Sequence, residues 1–247
     1  MLDYYNVLPD QTYLIKEHFT AGRGGAKPEY ITRHHLAMIG EVEAVVDRVW
    51  NEREASAHYV VGPKGRVGQV VNDRDTAWSN TNLYSNQRSL SIEHSNSGGA
   101  AVDWPISQET LIAGARLAAS LCLFYKLGRP VFGKNIRDHR EFGQTSCPHH
   151  LANGGKYHAQ WMAEAQRFYD LLAAKKVSPT GELITSEKED VMATDFNSKT
   201  NATDGSTHTY GDLVRYTDGR VFKLESETLP RLEKKLDEIL EVLKNAK

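Results

Sequence analysis

The stretch Ile136 to Leu151 reads Ile-Arg-Asp-His-Arg-Glu-Phe-Gly-Gln-Thr-Ser-Cys-Pro-His-His-Leu and concentrates metal-binding chemistry in one place. It holds Cys147, one of only two cysteines in the chain, together with His139, His149 and His150. Thiolate sulfur and imidazole nitrogen are both good ligands for Zn²⁺, which takes them in a tetrahedral site. His139 and Cys147 lie eight residues apart. That is too far for one helical turn but suits the two ends of a loop that folds back, and Gly143 and Pro148 supply the turn chemistry. A catalytic zinc takes three protein ligands and leaves its fourth position to water, so one ligand must come from elsewhere. The best donor is the pair His34-His35, which follows the β-prone run Glu29-Tyr30-Ile31-Thr32. Taken singly, a cysteine is more often a small buried apolar residue, and a histidine pair is more often surface or satisfied core. The combination is what points to a metal.

The elements that must position these residues follow from the apolar periodicity. Residues 1–27 carry turn signals and read as an irregular lead-in. Tyr30 to His34 reads as a strand. Val42, Val45, Val46, Val49 and Trp50 recur at helical spacing between charges, which predicts an amphipathic helix over Glu41 to Arg53. Ala57 to Val61 and Arg66 to Val71 flank the turn Gly62-Pro63-Lys64-Gly65 and predict a hairpin. Asp73 to Gln87 reads as a polar loop, and Ser89 to His94 alternates as a strand. Ser107 is placed to cap a long helix running to about Lys126, ended by Gly128. A short strand is expected around Val131-Phe132, and a further helix over Tyr157 to Ala174. Helices alternating with strands predict an α/β fold: a central mixed β-sheet flanked by helices, complete by about residue 174.

The composition then shifts. Residues 175–190 are rich in Lys, Ser, Pro, Gly and Glu and read as a linker. Residues 191–247 read as a small C-terminal module, with a hairpin over Leu213 to Phe222 and a final helix. In that helix Leu229, Leu232, Leu236, Ile239 and Leu243 repeat in an a/d pattern. The pattern suits either packing within its own module or a homo-oligomer. A net charge of −2 gives no basic footprint for nucleic acid. Two cysteines in 247 residues make no disulfide framework, and Cys122 in its apolar run reads as core. No apolar run is long enough to span a membrane. The N-terminus lacks the pattern of a secretory signal, so synthesis in the cytoplasm is expected.

With these residues in place, the chain resembles the zinc-dependent N-acetylmuramoyl-L-alanine amidases of the phage-lysozyme and peptidoglycan-recognition-protein superfamily. The pieces come in family order: His34-His35 at a strand end; Ser56 to Val61 with Gly65-Arg66-Val67; Ala77-Trp78; Ser91-Ile92-Glu93 with Asn96; and His139-Arg140-Glu141 with Thr145-Ser146-Cys147-Pro148. The resemblance covers about residues 28–165. It implies one zinc per chain, held by His34, His139 and Cys147, and peptidoglycan as the substrate. Glu93 would serve as general acid/base beside the metal, and Thr145 would stabilise the developing oxyanion where some relatives carry lysine. Trp78, His58 and Asn96 are candidates to line the substrate groove.

Some positions depart from the family pattern. Ala57 stands where some members have tyrosine. Arg33 replaces an aliphatic residue before the first ligand, and Asp138 replaces a glycine before the second. Either could orient a ligand or face solvent. His149, two residues after Cys147, offers an alternative ligand. The implied role is that of a phage or prophage endolysin, made without a signal and released to the wall through a holin-made lesion, with a tail for wall targeting or self-association. A cytoplasmic wall-recycling amidase is the rival enzyme. A non-catalytic peptidoglycan-recognition module is the rival from another class, although such relatives typically lack the cysteine ligand.

Overall fold

A computed structural model describes residues 2–184, together with the backbone of Lys199–Asn201 and Thr207–Thr209, which pair as an antiparallel two-stranded ribbon. The expected hairpin over Leu213 to Phe222 and the final helix lie outside the described residues. Two units are distinguished, residues 1–182 and 183–247.

The first unit is built on a six-stranded mixed sheet. Its strands are β1 (Gln11–Thr12), β3 (Tyr30–His35), β4 (Tyr59–Val61), β5 (Val67–Gln69), β7 (Ser89–His94) and β8 (Ile136–Asp138), in the spatial order β1-β5-β4-β7-β3-β8. A separate pair joins β2 (Phe19–Thr20) to β6 (Thr76–Ala77). β4 and β5 form the expected hairpin, and Gly65 occupies the left-handed position of its turn with φ +78°. β4, β7, β3 and β8 run parallel.

The period-2 alternation of β3 and β7 divides their side chains between two environments. Ile31, Leu90 and Ile92 join the larger core beneath the helices α3 (Gln108–Phe124) and α4 (His158–Ala173), with Leu117, Leu121, Trp161 and Ala165. Each such aliphatic side chain contributes about 1.5–3 kcal/mol by leaving water. On the other face a second core gathers Val60 and Val70 against Val42, Val45 and Trp50. The helix expected over Glu41 to Arg53 supplies these last residues. It is shorter than the spacing predicts: α1 (Val42–Val45) passes into a π-helical turn, Val46–Trp50. α3 begins as expected, with the Ser107 hydroxyl accepting a hydrogen bond from the N–H of Thr110.

Three expectations are corrected. The polar segment 73–87 is not all loop, because α2 (Leu83–Arg88) forms there, capped by Asn82 accepting from the N–H of Ser85. The residues expected as strand at Val131-Phe132 make only a bridge between Phe132 and Ile136, and the strand proper is β8, inside the Ile136 to Leu151 stretch itself. Residues 176–182, read as linker, pack on the first unit: Tyr5 Oη donates to the Val177 carbonyl at 2.9 Å, the Tyr4 N–H to that of Pro179 at 2.8 Å, and Val177 is buried. Small apolar contacts among polar residues leave no periodic signal to read.

A chain ended after residue 184 should therefore unfold in urea at the same midpoint as the first unit of the full-length protein. One ended after residue 174 should unfold at a lower midpoint, having lost these contacts.

Candidate metal centre

The parallel strands β3, β7 and β8 end side by side, and ligand sites in open α/β sheets gather at such carboxyl ends. His34 is the penultimate residue of β3 and Glu93 of β7; the two strands pair in register at these residues. His139 follows β8 directly and opens a short 3₁₀ turn. The loop after it folds back, as the sequence requires, and returns Cys147 to the same point.

His34, His139 and Cys147 each present a ligand atom within 4.8 Å of the others. The Cys147 Sγ lies 3.7 Å from His34 Nδ1, and the His34 and His139 rings are 4.5 Å apart. A nitrogen and a sulfur bound tetrahedrally to one ion at the usual zinc bond lengths would stand about 3.6 Å apart. The donor set therefore fits such an ion. Its protonation chemistry fits as well. Burial, with His139 beside it, holds His34 well below the usual imidazole range, so it is neutral and ready to ligate. Burial, with Glu93 nearby, pushes the Cys147 thiol well above its usual range, and the His35 N–H, which donates to the sulfur at 3.4 Å, acts the other way. A cation is what would draw this sulfur into its thiolate form.

Glu93 Oε1 stands 4.0 Å from His34 Nδ1, and its Oε2 is buried without a hydrogen-bond partner. Burial pushes the Glu93 carboxyl up to about 8, a value that Arg53 only partly counters; a cation at the three ligands would lower it. The Thr145 hydroxyl accepts the Cys147 N–H at 3.1 Å, so its own proton remains for another acceptor at the site. The Asn80 side chain lies against His34 and acts as a hydrogen-bond partner to its ring. An orphaned carboxylate oxygen beside two imidazoles and a thiol marks a place where something polar or charged binds.

The two departures before the ligands prove to be one feature. Arg33 and Asp138 neither orient a ligand ring nor face solvent. They are register partners on β3 and β8 and form an ion pair of 2.7 Å, with side chains 0% and 1% exposed. Arg33 also lies over the Trp161 ring and beside His158 Nδ1, and the second Asp138 oxygen accepts from the N–H of Asn153. Asp138 and Glu141 close a reciprocal capping box around the turn that carries His139. His94 was not singled out by the sequence, yet it holds the backbone of His34. Its Nδ1 donates to the His34 carbonyl at 2.8 Å, while its Nε2 accepts from Trp161 Nε1, roles assigned from the bonding pattern.

Two of the three residues expected to line the groove, His58 and Asn96, are buried instead. His58 is fully buried: Arg23 Nη2 bonds its Nε2 at 2.8 Å and Ser91 its Nδ1 at 3.0 Å. Burial and Arg23 hold His58 down to about 3, so it is a neutral structural group. Asn96 is likewise buried, bonding the Trp104 carbonyl and the Met38 N–H to hold its own loop. Trp78 rests against His18 and donates to Thr20. His149 is not a ligand in this set; it turns to Asp103.

The sequence signature of N-acetylmuramoyl-L-alanine amidases matches residues 24–150, just over half of the 247 residues. The chain belongs to the N-acetylmuramoyl-L-alanine amidase family. Its chemistry is accordingly that of an amidase, and its substrate class is peptidoglycan. Among solved structures, PlyL superposes with a TM-score of 0.52 at 22% identity, over 65% of this chain and 99% of its own. The PlyG catalytic domain gives 0.51 at 22% identity, over 64% and 94%. At this identity the likeness is one of fold, and it confirms the expected sheet flanked by helices. No protein of curated function matches the sequence.

The buried pair makes this amidase sensitive at a point that touches no substrate. Asp138→Ala leaves Arg33 buried and unpaired and should cost about 3–5 kcal/mol, read by urea unfolding. Replacing both, Arg33→Met with Asp138→Leu, should recover much of that loss.

Proposed function

We propose that this amidase is zinc-dependent, with His34, His139 and Cys147 as ligands, and that it acts as an endolysin on the bond between N-acetylmuramic acid and L-alanine. The observation that carries the reading is the convergence of these three donors at the carboxyl ends of neighbouring strands, with Glu93, one of whose carboxylate oxygens has no partner, beside them. Zinc, when bound, would lower the pKa of water toward ~7 and polarise the scissile carbonyl.

The protein's own groups do the rest. Glu93, as carboxylate, takes a proton from the attacking water, and as acid returns it to the amide nitrogen, which otherwise leaves poorly. Its position on a strand, in register with a ligand, keeps that proton path short. The Thr145 hydroxyl donates to the oxygen on which negative charge develops. Its tie to the Cys147 N–H fixes where that donor stands. Arg33 and Asp138 hold the two histidine-bearing strands in register, and the His94 bond to the His34 carbonyl fixes the end of β3. Residues 183–247 would then serve wall targeting or self-association. Among the described residues no helix is long and apolar enough to cross a membrane. Release to the wall through a holin-made lesion is part of the proposed role.

Cys147→Ser should abolish release of N-terminal L-alanine from purified peptidoglycan and shed most of the zinc; activity retained with metal bound would reject the ligand set. Glu93→Gln should keep the zinc and lower turnover by ~10²-fold or more. Loss of metal in that variant would make Glu93 a structural residue instead.

A further inference from the structure

Among the described residues, one further cluster of metal-ligating side chains lies outside the candidate zinc site and shares no residue with it. The Asp103 carboxylate meets both His149 and His150: His149 Nε2 stands 2.9 Å from Oδ1 and His150 Nε2 2.7 Å from Oδ2. One ligand atom from each of the three residues lies within 4.8 Å of the others. We propose that Asp103, His149 and His150 form a second divalent-cation site, of transition-metal type, on the rim beside the first.

The convergence is not simply the product of two histidines reaching for an acid, because each loop is held in place by its own bonds. Around Asp103, its N–H donates to the Ala100 carbonyl at 3.0 Å, that of Trp104 to Gly99 at 3.1 Å, and Asn96 Nδ2 to Trp104 at 2.8 Å. Around the histidines, the N–H of His149 donates to the Ser146 carbonyl at 2.7 Å, and that of Tyr157 to His150 at 3.0 Å. The three side chains are thus delivered to a common point by backbone that does not depend on their contact. Such preorganisation is what ion binding requires of a ligand set. The delivery also carries strain: Asp103, Trp104 and His149 have φ of +59°, +50° and +53°, a region L-residues seldom adopt. Strain of this kind persists where the surroundings over-determine it, and it clusters at functional sites.

Two imidazoles and one carboxylate form a donor set suited to zinc, cobalt or nickel rather than to calcium or magnesium, which prefer all-oxygen ligands. The Asp103 side chain is 67% exposed, which leaves room for water in the remaining positions. That exposure also makes the affinity lower than that of the buried first set. His35 lies between the two sets, stacked on His149 at 5.4 Å and edge-on to Trp104, with its N–H on the Cys147 sulfur. A cation on Asp103, His149 and His150 would therefore tie the loop of residues 95–104 to the loop that carries Cys147.

The test uses the full-length protein, stripped with chelator and titrated with Zn²⁺ and, separately, with Co²⁺. A thiolate-to-cobalt charge-transfer band reports the Cys147 site alone. Wild type should take two equivalents, the tighter one giving that band. Asp103→Ala and His150→Ala should each take one and keep the band. Cys147→Ser should lose the band and keep the weaker equivalent. A wild type that takes a single equivalent, or an Asp103→Ala variant that still takes two, would overturn the second site and make the cluster a hydrogen-bonded loop contact only. A wild type without the thiolate band would reject the first ligand set, independently of the second.

Discussion

The geometry of the candidate site depends on an ion pair that takes no part in the chemistry. Arg33 and Asp138 face each other across β3 and β8, each one residue before a proposed histidine ligand. Two charges removed from water cost several kcal/mol apiece, and only close contact with further bonds offsets that cost. Those further bonds are present in the Asn153 N–H, the capping box on Glu141 and the ring of Trp161. A slip of β8 by one residue would place Asp138 on the wrong face and leave Arg33 buried alone. Register is thus enforced by the penalty for breaking the pair more than by any gain from making it.

A second constraint is electrostatic. The end of β3 and β7 buries a thiol, two imidazoles and a carboxyl around atoms with no hydrogen-bond partner. In a low-dielectric pocket each of these groups shifts toward its neutral form, the usual response to burial without compensation. Such an arrangement is unfavourable by itself and becomes favourable around a cation. The fold sustains it because the two hydrophobic cores on either side of the sheet stabilise the strands independently of the site.

Much of this was legible in the sequence because it is written in residue type and period. Strands β3, β4 and β7, the Ser107-capped helix and the span of α4 follow from alternation and helical spacing, and the ligand triplet from thiol and imidazole chemistry joined to the family resemblance. What escaped was contact between distant residues. Arg33 and Asp138 could each be flagged as unusual, but that they answer one another over 105 positions is a fact of strand order. His58 and Asn96 were offered as groove residues on the family resemblance, and burial reassigns them. Asp103 carried no signal at all, since its meeting with His149 and His150 arises only when two loops are folded. The π-helical turn after α1 also has no mark in a pattern of valines that suits either helix.

The packing of residues 176–182 against Tyr4 and Tyr5 brings the two ends of the first unit together. A unit closed in this way is topologically a ring with one gap. Its chain could be opened at another surface turn and joined across the old ends, or the whole unit spliced into a loop of a different protein, with the sheet and its ligands undisturbed. Ends that meet in this way leave the first unit tolerant of what is joined to it, and exchange of such an appendage is open to evolution and to engineering alike.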